Sequence, residues 1–196
     1  MIKLRNGAAM MALTLSLAAC MSMEDEGMDD GMSSAQTTAR VGGAEMFSSR
    51  TIVANAVNSP IHTTLVAAVQ AAGLVDTLNS AGPFTVFAPT NAAFAKLPAG
   101  TVDTLLKPQN KAMLASVLTY HVVAGRMSAA DLMAAIRAGG GSATLTTVNG
   151  ATLTARMMGS RIMLVDGKGG MSHVTQGDVF QSNGVIHVTD AVSIPG

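Results

Sequence analysis

An α+β domain is the fold class the sequence predicts, and three observations predict it. Apolar residues recur at helical spacing through the first half of the chain. The second half changes to short apolar or alternating runs separated by Asn-Gly and Gly-rich turns. No segment repeats another, so one copy of one module is expected.

The elements follow in order. Lys3 and Arg5 make a short basic start, and Met10 to Ala19 is an apolar run broken only by Thr14 and Ser16. A stable membrane-spanning helix needs about 20 apolar residues, so residues 1–19 read as a secretory signal peptide. Residues 20–43 read as a disordered, acidic, Met-rich tether, because Glu24, Asp25, Glu26, Asp29 and Asp30 repel one another and no period is visible. The folded domain is expected over 44–196. Thr51–Val57 and Ile61–Ala72 read as helices, with Gly73 as a C-cap. Phe84–Ala88 is a strand that Pro89 stops. Thr90 can then cap a helix over Asn91–Leu97. Pro108–Tyr120 is a further helix, with Met113, Leu114, Val117 and Leu118 at helical spacing. Ser128 can cap Ala129–Ala138, which Gly139-Gly140-Gly141 ends.

Thr144–Val148, Asn149-Gly150 and Ala151–Ala155 predict a hairpin with a type I′ turn, in which both central residues need positive φ. Arg161–Val165 is an apolar strand, followed by a Gly-rich turn over Asp166–Gly170. The last hairpin is expected to turn at Asn183-Gly184, setting Val179 opposite Val188 and Phe180 opposite His187. Val179, Ile186 and Val188 then share the buried face.

Composition bounds the function. Hydrophobic residues are 48% of 196, but aromatics are only 3% and Trp is absent, so Val, Leu, Ile, Ala and Met must build the core. A formal net charge of zero gives no reason to expect nucleic acid as a partner. The only cysteine is Cys20, which excludes an intrachain disulfide. Leu17-Ala18-Ala19-Cys20 resembles the lipobox of bacterial lipoproteins, whose Cys thiol takes a diacylglyceryl group. That resemblance implies lipid attachment at Cys20 and a membrane anchor. Met21, rather than Asp, in the next position points to the outer membrane, facing the periplasm or cell surface.

Three segments carry a second resemblance: Phe84-Thr-Val-Phe-Ala-Pro-Thr-Asn-Ala-Ala-Phe94, Tyr120-His121-Val-Val-Ala-Gly125, and Ser182-Asn-Gly-Val-Ile-His-Val-Thr-Asp-Ala-Val-Ser-Ile-Pro195. They resemble the two boxes and the central Tyr-His segment of fasciclin domains. The resemblance implies a wedge: a twisted β-sandwich with helices on one side, the closing segment returning beside the strand after Pro83. Phe84, Phe87, Pro89, Phe94, Asn183, Gly184, Ile186, His187 and Asp190 are then structural motif residues. Thr189 and Ser193 depart from the larger aliphatics common there.

The resemblance also implies adhesion, and hence a binding module rather than an enzyme, with an unidentified surface protein or glycan as partner and a monomeric state. Tyr120 and His121 match a pair associated with integrin binding in animal domains; burial between Leu118, Val122 and Val123 is the favoured reading of the pair. Thr90 and Asn91 are partner-contact candidates on a loop, with helix capping the favoured alternative. His187 between apolar neighbours reads as an interior group, and Asp190 as an acceptor for a nearby backbone N–H. No two of His62, His121, His173 and His187 stand at metal-ligand spacing. Gly170-Met-Ser-His173 lacks the second glycine of a nucleophile elbow, and Gly167-Lys-Gly-Gly-Met-Ser172 is neither a phosphate loop nor a dinucleotide fingerprint, so no cofactor is expected. The alternative from another class is a periplasmic copper-buffering lipoprotein. Met21, Met23, Met28 and Met32 beside the tether carboxylates would supply soft thioethers, while Met113, Met133 and Met163 fill the core.

Overall fold

A computed structural model describes residues 37–196. The signal peptide, Cys20, Met21, Met23, Met28 and Met32 lie outside the described residues. The folded region begins earlier than expected. Strand β1 (Thr37–Val41) pairs antiparallel with β2 (Ala44–Phe47), so the assignment of 20–43 to a tether is corrected over its last residues. Gly42 and Gly43 join the strands with φ of 59° and 88°. Two positive φ values define the type I′ geometry that suits a two-residue hairpin. Val41 and Met46 are each 1% exposed, so this hairpin is part of the core.

Seven helices and seven further strands follow. Helices α1 (Ile52–Ala56), α2 (Thr63–Ala72) and α3 (Val75–Asn79) lead into β3 (Phe84–Pro89). Thr51 caps α1 by accepting from Ala54 N–H, and Gly73 ends α2 at φ 72°. After β3 come α4 (Asn91–Ala95), α5 (Thr101–Leu105) and α6 (Lys111–Tyr120), the last preceded by a 3₁₀ turn over Pro108–Asn110. Strand β4 (Val122–Ala124) precedes α7 (Ala129–Ala138), which Ser128 and Asp131 open with a reciprocal capping box. Strands β5 (Ser142–Thr146), β6 (Thr152–Met158), β7 (Arg161–Val165), β8 (Met171–Gln181) and β9 (Gly184–Thr189) complete the fold.

The strands β3–β9 form one sheet in the order β4-β3-β9-β8-β7-β6-β5. Its two ends approach each other: Val148 N–H donates to Val122 O at 2.7 Å, and Val123 bridges Thr147. The sheet is therefore nearly a barrel. One core lies on its helical side, where Ile52, Leu65, Val69, Phe94, Leu114 and Leu118 meet Val86, Ala88, Val179, Ile186 and Val188. The second fills the near-barrel, with Phe87, Tyr120, Leu132, Ile136, Leu153 and Leu164. Strand β3 serves both cores, Val86 and Ala88 on one face and Phe87 on the other. A strand buried on both faces reads as a continuous apolar run, and Phe84–Ala88 is one.

Both Asn-Gly turns differ from expectation. At Asn149-Gly150 only Gly150 has positive φ, at 84°; Gly150 N–H donates to Thr147 O, and Thr147 N–H to Ala151 O. This is a three-residue loop ending in a left-handed glycine. The last hairpin turns at Ser182-Asn183, with Gln181 opposite Gly184 and Val179 opposite Ile186. The expected register is off by two residues. A slip of two keeps the same side chains on the same face, so Val179, Ile186 and Val188 do share the buried face. Met113 is 59% exposed and is not core filler.

Gly184 is glycine for a steric reason rather than for a turn. A Cβ there would stand 2.2 Å from Phe84 O and 2.8 Å from Ile52 Cδ1. Gly184→Ala is expected to lower unfolding free energy by about 3 kcal/mol, the upper end for overpacking a close-packed site. Urea denaturation followed by circular dichroism measures it, and a midpoint within error of the parent's would refute the steric account.

Candidate functional site

The two quoted boxes meet as a parallel pair. Phe84 stands beside Gly184, Val86 beside Ile186 and Phe87 beside His187. Phe87 is fully buried and stacks on the His187 ring with centroids 5.6 Å apart. Around this pair the polar motif side chains are occupied internally. Thr90 caps α4 by accepting from Ala93 N–H at 3.2 Å. The Asn91 carboxamide accepts from Thr64 N–H and donates to Pro60 O and Thr63 Oγ1, tying α4 to the start of α2. Asn183 accepts from Ile52 N–H at 3.0 Å and donates to Leu78 O and Ser80 O. One side chain thus clamps α1 and α3 to the last hairpin. Pro89 is buried, and Phe94 packs into the helical-side core.

Tyr120 and His121 are 0% and 3% exposed. The phenol donates to Thr152 O at 2.7 Å and accepts from Gly167 N–H at 3.0 Å. The imidazole joins Val117 O through Nδ1 at 2.7 Å and Ser193 N–H through Nε2 at 3.0 Å. A carbonyl only accepts and an N–H only donates, so the ring is neutral with its proton on Nδ1. As placed, the pair offers no atom to a partner; it holds the C-terminal segment against the barrel. Asp166, which the sequence reading passed over as part of a turn, completes the attachment. Its Oδ1 accepts from Lys168 and Gly170 N–H, and its Oδ2 accepts from Ile194 N–H at 2.8 Å. An Asp opening a Gly-rich turn is the available signal, because its short carboxylate reaches the loop's own N–H groups.

His187 uses the other tautomer. Its Nε2 donates to Met127 O at 2.9 Å, and Nδ1 faces Asp178 N–H at 3.4 Å. Asp178 sits in a bulge of β8 at φ 58° and accepts from Ala129 N–H, at the start of α7. His62 holds Ser59 Oγ through Nδ1 at 2.8 Å, while its Nε2 is buried without a hydrogen-bond partner. Burial pushes all three pKa values below the ordinary histidine range. Backbone carbonyls oppose this less strongly: Val117 at His121, Met127 at His187, and Ala88, close to His62 but outside hydrogen-bonding geometry. Asn55, fully buried, was also missed. It holds both backbone groups of Phe47 and donates to Gln181 Oε1, fastening the β1–β2 hairpin.

The open feature of the fold is an apolar cleft on the helical side of the sheet. It holds a cavity of about 50 Å³ between α1, α2, α3 and the α6–β4 segment. Val53, Val66, Leu74, Val75 and Leu118 line it, and Val148 stands at its edge, 44% exposed. Among the described residues no three His, Cys, Asp or Glu side chains converge as a metal site.

A near-barrel closed by parallel pairing of two distant boxes, with helices on one side and His121 and His187 hydrogen-bonded internally, defines the fold class. The chain matches the Fasciclin domain family over residues 60–195, and it belongs to that family, one linked to cell adhesion or binding. It is 40% identical over 192 residues to Protein sll1483 of Synechocystis, covering 98% of this chain and 99% of that one. It is 42% identical over 145 residues to Immunogenic protein MPB70 of Mycobacterium bovis, covering 71% and 66% of the two chains. A Mycobacterium bovis cell surface glycolipoprotein, MPB83, is 40% identical over 145 residues, 71% of this chain and 58% of its own. Among solved structures, the fold is similar to an FAS1 domain pair from the insect cell adhesion molecule fasciclin I. The TM-score is 0.65 and the identity 20%, covering 73% of this chain and 50% of that one.

The histidines give a pH dependence with a defined sign. Their folded-state pKa values lie below the unfolded value of about 6.5. The unfolded chain therefore binds more protons below that pH, and stability is full above it and lost as pH falls. Each ring kept neutral contributes a slope of up to about 1.4 kcal/mol per pH unit. Urea midpoints measured from pH 7.5 to 5 should fall steadily, and less steeply in His121→Gln; a flat profile would contradict the neutral-ring assignment.

Proposed function

We propose that this chain is an extracytoplasmic, lipid-anchored binding module that engages a surface protein through its apolar cleft. The cleft is the observation that carries this reading. Its walls are aliphatic side chains from four elements, and its edge leaves Val148 in solvent. A concave site with apolar walls is the default place for an apolar group to bind. Aliphatic walls suit an apolar side chain from a partner protein better than the hydroxyls of a glycan, which would lose water without gaining hydrogen bonds. The Leu17–Cys20 sequence supports the anchor, and MPB83 is named as a cell surface glycolipoprotein. More than one acyl chain gives stable attachment, each buried methylene contributing about 0.8 kcal/mol.

Two measurements test the two halves of the proposal separately. Cys20→Ala should move the protein from the membrane pellet to the soluble fraction with its thermal midpoint unchanged; continued pelleting would remove the lipid anchor. Val66→Glu and Val148→Glu, each placing a charge at the cleft, should weaken binding of the Cys20→Ala chain to isolated cell envelope at least tenfold. Tenfold is about 1.4 kcal/mol, less than the usual cost of burying an unpaired charge. Arg137→Glu on α7 is the control. Equal retention of all three variants would remove the cleft from binding.

A further inference from the structure

The face of the sheet turned away from the barrel interior carries side chains that neither core uses. In β7, Ile162 and Leu164 point inward, so Met163 points out, half-buried and outside both cores. Met163 is the direct cross-strand partner of His173 in β8. Cross-strand partners hold their Cβ atoms about 5 Å apart. Met158, at the end of β6 and 57% exposed, reaches across β7 to bring Sδ within 3.3 Å of His173 Nε2.

With a proton on Nε2 the contact is an N–H···S hydrogen bond, and without one it is a pair of donor atoms facing each other. His173 Nδ1 faces Asp190 Oδ2 at 3.4 Å, and a carboxylate only accepts. A proton on Nδ1 can point at that carboxylate, and the neutral ring then turns the Nε2 lone pair toward the thioether. We propose that a cuprous ion fits between them, in a site formed by Nε2 of His173 and the sulfurs of Met158 and Met163, with Asp190 as the positioning carboxylate.

The geometry and chemistry agree. Metal–nitrogen and metal–sulfur bonds of about 2.0 and 2.3 Å at a tetrahedral angle separate the two donors by about 3.5 Å, against 3.3 Å here. Thioether and imidazole donors together select Cu(I) over the hard cations that want oxygen. A metal-binding histidine commonly gives its other ring proton to a carboxylate, which fixes the ring. Asp190 is itself held: its Oδ1 accepts from His173 N–H at 2.7 Å, its N–H donates to His173 O, and Lys96 lies 3.7 Å from Oδ2. The register also sets Arg156 beside Met163 and Arg161 beside Met158. Those cations oppose a divalent ion more than a monovalent one, and Asp190 offsets part of their charge. The ion binds in its reduced state, so no electron moves.

The test uses the full chain with Met21, Met23, Met28 and Met32 changed to Leu, so that any N-terminal thioether binding is removed. Competition with bicinchoninate under anaerobic conditions should show one equivalent of Cu(I) bound by this parent. Met158→Leu and His173→Gln should each weaken that binding at least tenfold, and Met163→Leu several-fold. Asp190→Asn, which acts through His173, should weaken it and shift its pH dependence. Met113→Leu, exposed on α6, should change nothing. Met158→Leu alters an exposed side chain, and thermal midpoints without copper check that every variant is folded. A parent that does not compete for Cu(I), or affinity unchanged in both Met158→Leu and His173→Gln, would overturn the site.

Discussion

The parallel pairing of β3 with β9 is the constraint on which the rest depends. Phe84 and Gly184 are neighbours in the sheet although 100 positions separate them in the chain. Closing a loop of that length costs about 4 kcal/mol of chain entropy. Both strands are buried on both faces, and each buried large apolar side chain returns about 1.5–3 kcal/mol. Phe87, Val185, Val188 and Ile186 are all 5% exposed or less, so their burial exceeds the closure cost. Gly184 leaves room where Phe84 O passes, because a Cβ there would stand 2.2 Å from it. The elements between the boxes are then crossover connection: helices on one side, hairpins curling round the other.

The other elements must be fastened to the central pair, and polar side chains do this where apolar packing lacks direction. Asn183 fastens α1 and α3, His121 and Asp166 fasten the C-terminal segment, and His187 fastens the chain entering α7. Each joins backbone groups that no ladder satisfies, and an orphaned buried group would cost about 1–3 kcal/mol. Imidazole suits this work because one neutral ring donates from one nitrogen and accepts at the other. The matching burial and tautomers explain why the Tyr120–His121 segment is prominent in the sequence. It is the latch between α6, the β7–β8 turn and Ser193. Ser193 meets His121 through its backbone N–H, and its hydroxyl meets the Ser172 hydroxyl at 3.3 Å.

Much of this architecture was readable from local chemistry, and the failures have definite causes. The caps at Thr90, Ser128 and Gly73 fell where short polar side chains and glycine predict them, because a cap depends on residues within one turn; Thr51, expected inside its helix, is instead the cap before it. The turn types did not follow from dipeptides. Gly42-Gly43, passed over at the edge of an acidic segment, forms the hairpin with two positive φ values, while neither Asn149 nor Asn183 adopts one. Asn183 is taken by Ile52, Leu78 and Ser80, contacts from over 100 residues away that no local rule contains. The two-residue slip in the last register left the buried face correct because side-chain alternation has period two. Met113 fits a helical stripe by spacing, yet it lies on the solvent side of α6, since Leu114, Val117 and Leu118 already fill the contact.

Methionine shows how burial separates two uses of one residue type. Met46 is 1% exposed, and Met133 packs against the barrel core, where a flexible thioether fills irregular space. Met158 is different, because an exposed strand end gains little from an apolar side chain and its sulfur rests against an imidazole. Spacing in the sequence could not bring Met158, Met163 and His173 together, since they lie on three strands and meet only through the β6–β7–β8 register. Asp190 belongs to the closing segment, so the same return of the chain that completes the sheet also sets the carboxylate behind His173. Scaffold and surface chemistry therefore share one determinant, the path of the last twenty residues across the barrel.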